Sequence, residues 1–212
     1  CSVLAGLLPA YFAEAVVGPD GWQFLGITFR AQSLWAAAVG FAAFLAFISA
    51  PVLGAVADFS SAKKKFLLVF AYLGSVLTVL MWFCQGGDVL FTVAMFVVAQ
   101  FGFISANVFY DAFLAQLVTE DRLDKVSGWG YAFEYVGGGL QFAGALLLLM
   151  YHENFGLSQS VAVRLGIITS GLWWGGFTLF TAFLVREAPA VEKLPEEYRG
   201  RSPIAAYTLI GV

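Results

Sequence analysis

Three carboxylates stand inside apolar runs: Glu14, Asp111 and Glu134. An ionisable group at membrane depth costs at least ~2.5 kcal/mol on insertion scales, so it faces a cavity or a partner. There it can exchange a proton or hold a polar solute. Helical spacing gathers further polar groups around these acids. At 3.6 residues per turn, Gln100, Asn107 and Asp111 fall within a ~40° arc of one helix. Glu134 and Gln141 are seven apart and share a face with Gly130 and Gly138. Tyr11 and Glu14 are three apart on another helix and share a face. Blander readings stand beside these. Asp111 lies close enough to a helix end to be solvated, or to pair with Arg122 or Lys125. Glu14 could snorkel or pair with Arg30. Glu134, within two turns of the start of an apolar run at 128, is the hardest to explain as a surface group. These three acids with Gln100, Asn107, Gln141 and Tyr11 are the expected lining of a polar path.

Other chemistry is poorly supplied. The chain has one histidine, His152, beside Glu153 in a loop, and two cysteines, Cys1 and Cys84. They form no nucleophile–base pair, no metal-ligand spacing and no disulfide framework. An enzyme is therefore not expected, nor any cofactor or metal. A net charge of −3 and a pI near 5.1 argue against nucleic acid as a partner.

The elements that must carry these residues follow from hydropathy. Of 212 residues, 60% are hydrophobic and only 12% charged, against about 25% charged in soluble domains. A membrane helix needs ~20 mostly apolar residues. Six runs are predicted as spans, at about 2–18, 32–56, 66–84, 89–114, 128–151 and 162–185. A charged, proline-bearing linker occupies 186–202, and a seventh apolar segment starts at 203–212. The chain begins at Cys1 within one apolar run and ends within another, so a fragment of a longer protein is expected. No sustained strand alternation is present, which disfavours a β-barrel. The fold class is thus an all-α polytopic membrane protein, a six-helix bundle over residues 1–185.

Lysine and arginine set the orientation. Lys63, Lys64, Lys65, Arg122, Lys125, Arg186, Lys193, Arg199 and Arg201 fall on one side of the predicted bundle; Arg30 and Arg164 fall on the other. Nine against two puts the N-terminus and the 6–7 loop in the cytoplasm. Short loops and no long extramembrane domain point to a prokaryotic plasma membrane. The third and sixth runs hold no charge in their interiors and are expected to face lipid, while the first, fourth and fifth face something polar. Gly171 and Gly175, one turn apart, and Gly137, Gly138, Gly139 and Gly144 read as close helix packing. The triple glycine also offers a flexible point.

One loop carries a more specific pattern. Gly54-Ala-Val-Ala-Asp58 ends the second run, and Lys63-Lys64-Lys65 follows. Gly54 and Asp58 are one turn apart: the glycine permits a close neighbour, and the aspartate can accept helix N-terminal amides or pair with a cation. This resembles the loop 2–3 signature of the major facilitator superfamily, Gly-x-x-x-Asp-Arg-x-Gly-Arg-Arg. Phe59 stands where that signature has arginine, Ser61 replaces its glycine, and the basic run starts about one position late. Asn107-Val-Phe-Tyr-Asp-Ala-Phe-Leu114 and the stretch from Arg122 to Gly138, with Val126-Ser-Gly-Trp-Gly-Tyr-Ala132 at its centre, are similar to the vacuole-effluxer-like branch of that superfamily. That branch includes fungal vacuolar amino-acid exporters and many prokaryotic permeases.

The resemblance implies one half of a twelve-helix transporter, with the solute site between two six-helix halves. It implies that helices one and four line the cavity and that three and six lie outside. The expected function is secondary transport of small solutes, amino acids or related metabolites among them, by alternating access. The implied partners are a small-molecule substrate, the lipid bilayer and the C-terminal half of the same transporter. A carboxylate that faces in and out by turns could carry a proton as coupling ion; a uniporter and a sodium-coupled carrier are the alternatives. Asp58 and Lys63–Lys65 would help close the cytoplasmic side. The competing readings are a channel, for which no filter loop is visible, and a non-transporting membrane scaffold, which would tolerate loss of Glu134.

Overall fold

The computed structural model describes residues 2–59, 61–186, 196–198, 206 and 208–210. Most of the predicted linker at 186–202 and of the seventh segment at 203–212 lies outside the described residues. Six α-helices follow in order: α1 (Ser2–Tyr11), α2 (Ala31–Phe59), α3 (Lys63–Leu80), α4 (Val89–Leu117), α5 (Glu120–Met150) and α6 (Gln159–Leu184). Five of the described helices are long and apolar enough to cross a membrane: Ala31–Phe59, Lys63–Phe83, Val89–Leu114, Asp121–Met150 and Gln159–Leu184. The first apolar helix, Ala5–Val17, is shorter.

That first helix changes its winding partway. Beyond Tyr11 it continues as a π-helical turn, Phe12–Val17, and stops at Gly18 with φ 78°. The wider turn rotates the residues beyond Tyr11 away from α-helical register. Tyr11 is therefore buried while Glu14, three residues on, is exposed. The two do not share the face expected from 3.6-residue spacing.

A two-stranded hairpin then precedes α2, an element that the hydropathy pattern did not reveal. β1 (Trp22–Phe24) pairs antiparallel with β2 (Ile27–Phe29), with Phe24 opposite Ile27. Leu25 and Gly26 form its two-residue turn with φ 50° and 79°. Positive φ at both positions gives the twist that a tight hairpin requires, but the usual Asn-Gly or Asp-Gly signal is missing.

The bundle is held by small residues. α4 is the most enclosed of the long helices, and it contacts α2, α3 and α5. Ala38, Ala42 and Ala46 line the buried face of α2, where alanine lets the helix approach its neighbour closely. α3 crosses α4 at Gly74 and Gly102: a Cβ at Gly102 would lie 2.9 Å from the Phe70 carbonyl oxygen. On its other side α3 meets α6. There Ser75 Oγ donates to the Gly171 carbonyl at 2.8 Å, and a Cβ at Gly175 would lie 2.6 Å from the same Oγ. The Gly171/Gly175 pair is thus a packing surface, as its spacing suggested. Aromatic stacks fill both ends of the core, with Trp35 against Phe96 at 4.3 Å and Phe66 against Phe109 at 5.3 Å.

The two sides of α3 differ. One is buried against α4 and α6, while Val69, Leu73, Val76 and Leu80 on the other stay exposed. Absence of charge in a helix does not choose its neighbours; Gly74, Ser75 and Thr78 give α3 a surface narrow enough to be buried. α5 is instead the least enclosed long helix. It begins at Glu120, ahead of its apolar run, so Arg122 and Lys125 lie inside the helix.

Candidate functional site

α5 and α6 run beside each other and leave a cleft of about 930 Å³ between them. From α5 it is lined by Gly130, Glu134, Gly138 and Gln141, which share the face that the seven-residue spacing marks out, and also by Phe133, Tyr135, Val136, Gly137 and Leu140, so the lining wraps around the helix beyond that face. From α6 come Ser170, Trp173, Trp174 and Phe177. Residues 170, 173, 174 and 177 recur at helical spacing, so α6 contributes one face. Phe103 of α4 and Ala5 of α1 complete the wall.

Glu134 is one residue from the midpoint of α5, which runs from Glu120 to Met150. Its side chain is exposed to the cleft, and no hydrogen bond or ion pair among the described residues holds it. Gln141, two turns along, is committed: its Nε2 lies 3.3 Å from the Gly166 carbonyl and 3.4 Å from Thr169 Oγ1. It ties α5 to α6 at one end of the cleft.

The acid of α4 lies close by. Tyr110 approaches α5 so nearly that a Cβ at Gly130 would sit 3.1 Å from its hydroxyl. Asp111 and Glu134 are both within electrostatic range of that phenol. The fold thus brings Glu134 of α5 within electrostatic reach of Tyr110, the sequence neighbour of Asp111 and a residue that sequence reading did not single out. Asp111 is exposed and does not pair with Arg122, which pairs with its neighbour Asp121 at 3.8 Å. Asn107 is exposed on the same helix and Gln100 is half-buried.

The remaining candidates lie elsewhere. The Tyr11 hydroxyl donates to the Cys84 carbonyl at 2.8 Å and is buried, which makes it a structural tie between α1 and the α3–α4 connection. Glu14 is exposed and unpaired with Arg30 among the described residues. Gly54 has no atom within 4 Å of its Cβ position, so no described helix uses the close approach that it permits. Asp58 is exposed. Lys63, Lys64 and Lys65 form the first turn of α3, where Lys63 is wholly buried, Lys64 half-buried and Lys65 exposed. Cations at a helix N-terminus oppose its dipole by about 0.3–1 kcal/mol each, so this cluster does not stabilise α3.

Sequence reading also missed the aromatic wall. Trp173, Trp174 and Phe177 stood in a run without charge and read as lipid-facing. The signal was available in their spacing around Gly175 and Gly176, but only the packing of α6 on α5 turns that face inward.

Comparisons with known proteins identify the family. The family described as "Vacuole effluxer Atg22 like" matches residues 18–212. An MFS-type transporter of Bacillus subtilis (strain 168), titled "Uncharacterized MFS-type transporter YxiO", is 32% identical over 200 residues, covering 91% of this chain and 44% of its own length. The chain therefore spans less than half of that relative. No solved structure matches. These findings place the chain in a family of membrane transporters. With long apolar helices and a family match over nearly all its length, the chain belongs to the vacuole effluxer Atg22-like family of major facilitator transporters.

Proposed function

We propose that this chain forms one half of a secondary transporter that moves small solutes, amino acids or related metabolites among them, by alternating access driven by a proton gradient. The observation that carries the reading is Glu134: a carboxylate two turns into the apolar run of α5, open to a cleft and without a hydrogen bond or ion pair among the described residues. A carboxylate that faces the two sides of a membrane in turn can take up a proton on one and release it on the other. Asp111 and the Tyr110 hydroxyl extend the polar path from α5 to α4. A C-terminal half would close the exposed side of α5. The nine-to-two distribution of lysine and arginine supports a cytoplasmic N-terminus and 6–7 loop. In that orientation Asp58 and Lys63–Lys65 border the cytoplasmic side, and a prokaryotic plasma membrane is the proposed location.

The test is uptake by the full-length protein in proteoliposomes under an imposed pH gradient, with an amino-acid panel and Glu134→Gln in parallel. Gradient-driven uptake that the variant loses is the expected result. Equal uptake by both proteins would remove Glu134 from the coupling path. No uptake by the parent would remove amino acids and leave other metabolites or the scaffold reading.

A further inference from the structure

We propose that the α5–α6 cleft recognises the ammonium end of an aromatic or otherwise apolar organic cation, with Glu134 as counter-charge and the surrounding rings as π faces. The proposal rests on the reading of this cleft as the solute site. Six of its fifteen lining residues are aromatic, whereas aromatics make up 17% of the chain. The lining holds one carboxylate and no basic side chain. A cation placed within about 6 Å of a ring centroid is attracted by the negative face, most strongly by tryptophan. Two tryptophans are available here, and neighbouring rings hold each of them. Trp173 packs on Phe177 at 4.9 Å and Trp174 on Phe103 at 5.7 Å, so the faces are set before any ligand enters.

The rings and the acid belong to one place. The Cβ position of Gly137, one turn beyond Glu134, lies 4.0 Å from Trp173 Nε1. Gly137 and Gly138 line the cleft of about 930 Å³ beside the carboxylate, a space that takes a group far wider than a proton. An anion would meet the opposite conditions. It would face Glu134, and the Gln141 amide is already turned to Gly166 and Thr169. A neutral apolar solute would gain the rings but leave the carboxylate without a counter-charge. A proton and an ammonium group would compete for the same carboxylate, which is the requirement for exchanging one against the other.

The experiment is equilibrium binding of radiolabelled phenethyltrimethylammonium to the full-length protein in nanodiscs. Saturable binding is expected, displaced by the unlabelled cation but at least tenfold less well by 2-phenylethanol or 3-phenylpropionate. Glu134→Gln and Trp173→Leu should each weaken it at least tenfold, while Glu134→Asp and Trp173→Phe keep most of it. Absence of saturable binding by the parent, equal displacement by the alcohol or the anion, or unchanged affinity in Glu134→Gln would each overturn the proposal. The competitor arm uses only the parent protein, so a misfolded variant cannot rescue the idea. Gradient-driven amino-acid uptake that saturating cation leaves untouched would sink this inference and spare the carrier reading. Cation binding without transport of any solute would do the reverse.

Discussion

Replacing Gly171 with alanine adds one methyl group where α6 touches α3. The new Cβ would lie 2.9 Å from Val79 Cγ2, 3.0 Å from the Ser75 carbonyl oxygen and 3.1 Å from the Val79 nitrogen. Two of these are backbone atoms of α3, so relief requires the helices to separate. Such overpacking costs about 1–3 kcal/mol. Separation also stretches the 2.8 Å bond from Ser75 Oγ to Gly171, a further net loss of up to about 1 kcal/mol. Against these stands the helix preference for alanine over glycine, about 1 kcal/mol. The sum is a net destabilisation of about 0–3 kcal/mol, with its middle at about 1.5 kcal/mol. Gly176, five residues along the same helix, has nothing within 4 Å of its Cβ position. There the propensity gain of up to about 1 kcal/mol acts alone. Thermal unfolding of the full-length protein in detergent should therefore move down for Gly171→Ala and up or not at all for Gly176→Ala. A melting temperature for Gly171→Ala at or above the parent's would refute the packing account of the α3–α6 contact.

Three further outcomes follow from local geometry. Leu25 occupies a left-handed position at φ 50° and is 87% exposed; Leu25→Asn should stabilise the hairpin by about 1 kcal/mol, read as slower amide exchange across β1 and β2. Tyr11→Phe deletes the 2.8 Å bond to the Cys84 carbonyl and leaves that buried acceptor unmet, which should cost about 1–3 kcal/mol in a thermal melt. Burial, the largest influence, pushes the Cys84 thiol above its usual range, outweighing its Thr92 hydrogen bond. A maleimide should therefore label Cys84 slowly in folded protein, with a rate still rising above pH 9, and quickly once denaturant opens the site; rapid labelling of the native state at neutral pH would contradict its burial.

Hydropathy was enough to mark the long helices, because ~20 consecutive apolar residues have few stable uses besides crossing a bilayer. Periodicity was enough to place Gly130, Glu134, Gly138 and Gln141 on one face of α5, since a regular helix turns by a constant angle. The same arithmetic failed at Tyr11 and Glu14, where a π-helical turn changes that angle. It also failed at Trp22–Phe29, where a turn without asparagine or aspartate closes a hairpin. What α6 faces depended on tertiary packing alone. A charge-free helix can bury, meet lipid or line a cleft, and its composition does not distinguish these. The contacts of Gly171 and Gly175 with Ser75 and Val79, and of Trp174 with Gly74, fix α6 on α3, and its packing beside α5 then brings Trp173, Trp174 and Phe177 into the cleft that Glu134 lines. Sequence alone thus determined which residues are costly to place in an apolar helix. Packing decided which aromatic rings surround them, because helix rotation follows from small-residue contacts far apart in the chain.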